Sequence, residues 1–233
     1  MVKTLTLLAM LGIGPTHVLA TEKPLVSKLQ QYVERSLDAD EKLTTERQVE
    51  LIELSKALAR QIKTSKKASL LFVCTHNSRR SQMCQLWTLA ASYYYNIDGI
   101  DAHSGGTEAT AFNPRAVAAM RRAGFLIKTK VPGQNPRYDV TLRLNTKPVE
   151  AFSKVYNDLT NPRRDFIAVM VCGDADEKCP VVVGSAERVP LHFVDPKISD
   201  GTAKETETYD ARCQQIANEM LFVMRNTKRL LTE

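Results

Sequence analysis

The chain has 233 residues, 43% of them hydrophobic and 25% charged, with a formal net charge of +6. This is ordinary globular composition and favours one domain of moderate size with an appendage. The basic excess suits anionic partners, but the lysines and arginines are scattered and never interleave with aromatics, which disfavours nucleic-acid binding. Cys74, Cys84, Cys172, Cys179 and Cys213 make an odd count with no zinc-knuckle spacing, and the four histidines stand far apart. A disulfide scaffold and a metal site are therefore not expected.

The first residues, "MVKTLTLLAMLGIGPTHVLATEK", have a lysine, a short apolar core and small residues before a polar turn. This is the layout of a secretory signal over residues 1–20, and it implies a periplasmic or exported protein. Read instead as a first apolar helix, the stretch leaves the chain cytoplasmic. Leu5 to Ile13 is too short to span a bilayer, so no stable membrane insertion is expected. Residues 21–67 read as a helical extension packed on the domain. Leu25, Leu29 and Val33 share one helical face. Val49, Ile52, Leu54, Leu58 and Ile62 mark a second helix, with Thr45 and Gln48 as its capping box.

From residue 68 to 233 the pattern is that of an α/β catalytic domain. "ASLLFVC" is a continuous apolar run, as in a strand buried on both faces. "RSQMCQLWTLAASYYYN" is helical, and "IDAHSGG" is a second strand. "NPRAVAAMRRAGF" is a short helix capped by Asn113, with Pro114 in its first turn and Gly124 at its end. "YDVTLRL" is a strand, "PVEAFSKVYNDL" a helix or loop, "DFIAVMVC" a buried strand and "RVPLHFV" the last strand. A long amphipathic helix closes the chain. Strands alternating with helices predict a parallel sheet flanked by helices, with the ligand site at the carboxyl ends of the strands. Cys74 and Cys172 fall at two such ends, and Asp195 lies just past a third.

Cys74 to Arg80 is a C-x5-R loop between a strand and a helix. Its backbone amides and the positive helix end would form a nest for a tetrahedral oxyanion. Thr75, His76, Asn77, Ser78, Arg79, Arg80 and Ser81 are the candidate oxyanion-binding residues. Arg80 can grip two oxygens with its planar fork. The same field stabilises negative charge on sulfur and makes Cys74 a candidate nucleophile. Ser81 can donate its hydroxyl proton to that sulfur, and Asn77 tolerates left-handed backbone in a tight loop.

"LLFVCTHNSRRSQM" resembles the phosphate loop of the low-molecular-weight tyrosine phosphatase superfamily, which includes thioredoxin-coupled arsenate reductases. "SGGTEATAFNPRAVAAMRRAGF" is similar to that family's second strand and following helix, and "FVDP" to the Asp-Pro that supplies its general acid. The resemblance covers about residues 69–226. It implies a four-stranded parallel sheet flanked by helices, no cofactor, and Asp195 as general acid. The chain departs from the pattern at His76, where glycine is usual, at Arg79, where a second cysteine is frequent, and at Lys197, where the phosphatase branch often has tyrosine. His76 either crowds the loop or offers a further donor.

"CGDADEKCP" read alone is two buried small hydrophobes. It resembles the segment carrying the second and third cysteines of the arsenate reductases. That likeness implies a relay from Cys74 to Cys172 to Cys179, discharged by a thioredoxin-like reductant. A phosphatase acting on phosphotyrosine or another phosphomonoester would use only Cys74, Arg80 and Asp195. A silent anion-binding module would be expected to have lost one of those three. The extra cysteines favour the reductase, whereas export would deny it a cytosolic reductant. Cys84 and Cys213 are expected in the core, His103 and His192 as core or rim residues rather than ligands, and "DADE" falls short of a calcium loop.

Overall fold

The computed structural model describes residues 24–37, 43–178 and 181–233. The export signal read at 1–20 and the cysteine at 179 lie outside them. Helices α1 (Ser27–Leu37) and α2 (Thr45–Ser65) come first. They are followed by β1 (Ala68–Cys74), α3 (Arg80–Tyr94), β2 (Ile100–Gly106), α4 (Pro114–Arg122), β3 (Leu126–Val131), β4 (Arg137–Thr141), β5 (Val149–Ala151), β6 (Phe166–Met170), α5 (Gly173–Lys178), β7 (Ser185–Pro190) and α6 (Glu205–Thr232). The sheet order β2-β1-β6-β7 is parallel throughout. This is the expected four-stranded sheet flanked by helices.

Every residue of β6, and all of β1 except Ser69, is buried, which explains why both read as unbroken apolar runs. α3 is buried along nearly its whole length because it lies between β1 and β2 on one side and α6 on the other. Trp87 sits fully buried at that seam. Its indole N–H donates to Cys213 Sγ at 3.3 Å. Phe125 meets the ring edge-on at 4.8 Å between centroids, and Tyr32 of α1 approaches at 5.4 Å. Truncating a ring buried in this way costs about 3–5 kcal/mol.

The expected N-terminal helices form and bury Leu29, Val33, Leu54 and Leu58 against α6 and the sheet. Two details differ. Val49 is exposed while Leu51 is buried, so Leu51 takes the place expected of Val49 in a stripe that otherwise holds Ile52, Leu54, Leu58 and Ile62 against the core. The N-cap is Thr44, whose hydroxyl accepts from Arg47 N at 3.2 Å, not Thr45. α4 is capped by Asn113 as expected, and Gly124 follows it at φ +104°.

A second sheet was not foreseen. β3, β4 and β5 pair antiparallel in that order. The "YDVTLRL" strand belongs there rather than to the parallel sheet, and "PVEAFSKVYNDL" holds the three-residue β5 followed by irregular chain. β7 ends at Pro190, earlier than expected. Beyond it the chain stays extended, held by Leu191 N to Met170 O at 2.9 Å and Phe193 N to Val171 O at 3.1 Å. No helix among the described residues is long and apolar enough to cross a membrane.

Candidate active site

β1 delivers Cys74 to the carboxyl edge of the sheet, and the chain turns through five residues before α3 begins at Arg80. The turn is held from behind by its carbonyls. Cys74 O accepts from Thr107 N at 3.1 Å, Thr75 O from Glu108 N at 2.8 Å, and Ser78 O from Asn113 N at 2.9 Å. His76 O accepts from Ser153 Oγ at 2.9 Å and Thr110 Oγ1 at 3.2 Å, and Asn77 O from Gln82 Nε2 at 3.2 Å. Among the described residues, the amides of His76, Asn77, Ser78 and Arg79 donate to no protein acceptor. Donors left free on one side of a loop, with every acceptor satisfied on the other, make a concave anion-binding nest. The positive end of α3 faces the same space.

Asn77 takes the left-handed conformation the loop needs, with φ +46°. Its side chain is fully buried and oriented without ambiguity. Oδ1 accepts from the backbone N–H of Lys154 at 2.9 Å, so Nδ2 is the donor to Ser81 Oγ at 2.8 Å. Ser81 Oγ lies 3.0 Å from Cys74 Sγ. Asn77 fills one acceptor position of the Ser81 oxygen, and the Ser81 hydroxyl is placed to donate its proton to a thiolate at Cys74.

Close approach by β2 fixes the rear wall. A methyl group on Gly106 would lie 2.3 Å from Glu108 O, 2.6 Å from Thr75 O and 2.8 Å from Asn77 N. All three are backbone atoms with no freedom to swing aside. Gly106→Ala is therefore expected to cost about 3 kcal/mol in urea unfolding and to weaken phosphate binding, as read by calorimetry.

Cys74, His76, Ser78, Arg79, Arg80 and Asp195 line one small cavity. Arg80 donates through Nη1 to Phe193 O at 2.9 Å and through Nη2 to Asp195 Oδ2 at 2.8 Å. The other oxygen of Asp195 accepts from Lys197 N at 3.0 Å and caps the 3-10 turn Pro196–Ser199. Arg79 Nε donates to Tyr209 OH at 2.8 Å, and that hydroxyl donates to Asp200 Oδ1 at 2.8 Å. Burial and then the Asp200 bond push the Tyr209 hydroxyl up to about 12, against the pull of Arg79. Tyr209 and Asp200 have no local sequence signature, and only the approach of α6 reveals them. The His76 ring is half exposed and 3.6 Å from Glu108 Oε2, so it lies at the rim and does not crowd the loop.

Cys172, two residues past β6, is buried, with Sγ 3.6 Å from the hydroxyl of Thr75, the neighbour of Cys74. Cys84 and Cys213 are core residues, as expected. Burial pushes Cys84 well above the ordinary thiol range and Cys213 up to about 12, which leaves both protonated and inert. His103 pairs with Asp101 at 2.8 Å and His192 with Asp176 at 3.0 Å. Among the described residues, no group of three or more His, Cys, Asp or Glu side chains is placed to hold a metal ion.

Lys154, whose N–H fixes Asn77, is itself buried, and its ammonium stands 4.7 Å from the centroid of Phe152. Burial lowers its pKa from 10.5 to about 8. Between those values the unfolded chain binds the extra proton, so the stability of the folded state should rise with pH. Urea unfolding at pH 7.5 and 9.5 should show a gain of about 2 kcal/mol that Lys154→Met loses.

No protein-family model matches the chain. The arsenate reductase of Shouchella clausii (strain KSM-K16) is 34% identical over 139 residues, which is 60% of this chain and 81% of that protein. The arsenate reductase of Bacillus subtilis (strain 168) is 32% identical over 152 residues, 65% of this chain and 91% of that protein. Among solved structures, an arsenate reductase in the phosphate binding state matches with 18% identity and a TM-score of 0.44, covering 68% of this chain and 97% of its own. A low-molecular-weight phosphotyrosine phosphatase from Vibrio cholerae O395 matches with 14% identity and a TM-score of 0.45, covering 68% and 95%.

Proposed function

Because the chain belongs to the arsenate reductase branch of the low-molecular-weight tyrosine phosphatase superfamily, we propose that it reduces arsenate by a thiol relay. The observation that carries the reading is the nest of free amides with a sulfur at its base and Arg80 at its rim. Arsenate binds in the nest, with its charge met by the amides, the α3 terminus and Arg80. Cys74 attacks arsenic and displaces one oxygen as water or hydroxide. Cys172 attacks the Cys74 sulfur. A Cys74–Cys172 disulfide forms, the electron pair of the sulfur–arsenic bond stays on arsenic, and arsenite leaves. Cys179 then attacks Cys172 and releases Cys74. The resulting Cys172–Cys179 disulfide takes two electrons from a dithiol donor of the thioredoxin class. The placement of Cys172 beside Thr75 supports the second step.

A second reading is hydrolysis of a phosphomonoester such as phosphotyrosine, and the position of Asp195 at the cavity favours it. Cys74 would take the phosphoryl group and Asp195 would protonate the leaving oxygen. One preparation decides between the two. It is given arsenate with thioredoxin, thioredoxin reductase and NADPH, and separately a chromogenic aryl phosphate. Arsenate-dependent NADPH oxidation is expected. Ester hydrolysis without it would overturn the reductase in favour of the phosphatase. In the same assays, Asp195→Asn should slow ester hydrolysis about 100-fold and arsenate reduction much less.

A further inference from the structure

Arg47, in the first turn of α2, connects the N-terminal helices to the active-site rim. Its side chain is 16% exposed, and its guanidinium is engaged on every edge. Nε and Nη2 both donate to Glu219 Oε2 on α6, at 3.0 and 2.7 Å, and Nη1 donates to Glu50 Oε2 at 2.6 Å. Nη2 also donates to His192 O at 3.1 Å. The carbon of the guanidinium stands 4.8 Å from the ring centroid of Phe193. Glu219 is 1% exposed, and its other oxygen takes an N–H from Gln215 at 2.9 Å.

A buried ion pair is weak grounds for stability in itself, since well-packed apolar side chains often serve as well. What a planar fork adds is a fixed direction. The segment that Arg47 fixes is the one on which Arg80 is anchored. Phe193 presents its ring to Arg47 and its carbonyl to Arg80 Nη1, and two residues later Asp195 takes Arg80 Nη2. Past Pro190 this segment keeps only the bonds from Leu191 N to Met170 O and from Phe193 N to Val171 O on its inner edge, and Arg47 grips it through the His192 carbonyl and the Phe193 ring.

We propose that Arg47 is a positioning residue for the oxyanion loop, clamping His192 and Phe193 so that the Phe193 carbonyl aims the Arg80 guanidinium across the cavity it shares with Cys74. The inference rests on the reading of that loop as an anion site.

The test is binding of inorganic phosphate to the full-length protein by calorimetry, with thermal unfolding run alongside. Arg47→Lys keeps the charge and one bond to Glu219, but a single nitrogen cannot also hold His192 O and stack on Phe193. It is expected to weaken phosphate binding about fivefold or more with little change in melting temperature. Glu219→Gln should lower the melting temperature at least as much while leaving phosphate affinity within about twofold. Phe193→Leu leaves the buried pair whole, removes the stacking face, and should repeat the affinity loss of Arg47→Lys. Phosphate affinity unchanged in Arg47→Lys and Phe193→Leu, or reduced equally in Glu219→Gln, would reduce Arg47 to a structural role. Arg80→Lys separates the two levels. If it abolishes phosphate binding while Arg47→Lys leaves the affinity unchanged, the positioning role alone fails. If phosphate affinity ignores Arg80→Lys, the anion-loop reading fails and takes the inference with it.

Discussion

Cys74→Ser is expected to abolish arsenate turnover and aryl phosphate hydrolysis together, by about 10⁴-fold or more. The serine oxygen would sit in the same nest, beside the Ser81 hydroxyl that lies 3.0 Å from the native sulfur. It would be neutral and a poor nucleophile there. The nest itself does not depend on the sulfur. Its amides are set by carbonyls tied to Thr107, Glu108, Thr110, Asn113 and Ser153. Phosphate should therefore still bind to the variant within a few-fold of the native affinity. Steady-state rates with both substrates and phosphate calorimetry check this. Turnover of either substrate by Cys74→Ser at more than about a hundredth of the native rate would remove Cys74 as the nucleophile.

Cys172→Ala should separate the two chemistries. Arsenate reduction coupled to thioredoxin is expected to fall about 1000-fold. Aryl phosphate hydrolysis should stay within about threefold, because Cys172 does not line the cavity that holds Cys74, Arg80 and Asp195. Loss of one sulfur from a 2% exposed site leaves a small void, and about 1 kcal/mol of stability should go with it. A complementary trap uses Cys179→Ala. After one turnover of arsenate, peptide mapping should find Cys74 joined to Cys172 by a disulfide. Full arsenate reduction in Cys172→Ala would dismiss the relay, whatever the loop does.

The parallel sheet and the loop were legible because their signals are local. β1 and β6 are buried on both faces and so read as apolar runs. The loop is seven consecutive residues whose chemistry is carried by their order. The antiparallel sheet was illegible for the opposite reason. In β3 only Ile127 is buried, so no period-two pattern exists to be read, and β5 is three residues long. The last strand was placed too late because "LHFV" remains extended and alternates buried Leu191 and Phe193 with exposed His192 and Val194 as a strand does, without laddering on both sides. Tyr209 and Arg47 escaped because their partners are 130 and 172 residues away. Tyrosine within a long helix and arginine in a first turn are unremarkable until packing brings another element to them. The Thr44–Thr45 ambiguity is of a different kind, since two adjacent hydroxyls compete for one cap and only backbone geometry separates them.

The outward-tied carbonyls of the Cys74–Arg80 turn have a consequence for turnover. Dipoles that are already oriented attract through net charge and need no rearrangement to do so. A reaction that converts a doubly charged oxyanion into an uncharged trivalent acid thus erases the attraction that recruited its reactant. The finished molecule would depart unassisted, and no lid or hinge would be required to expel it.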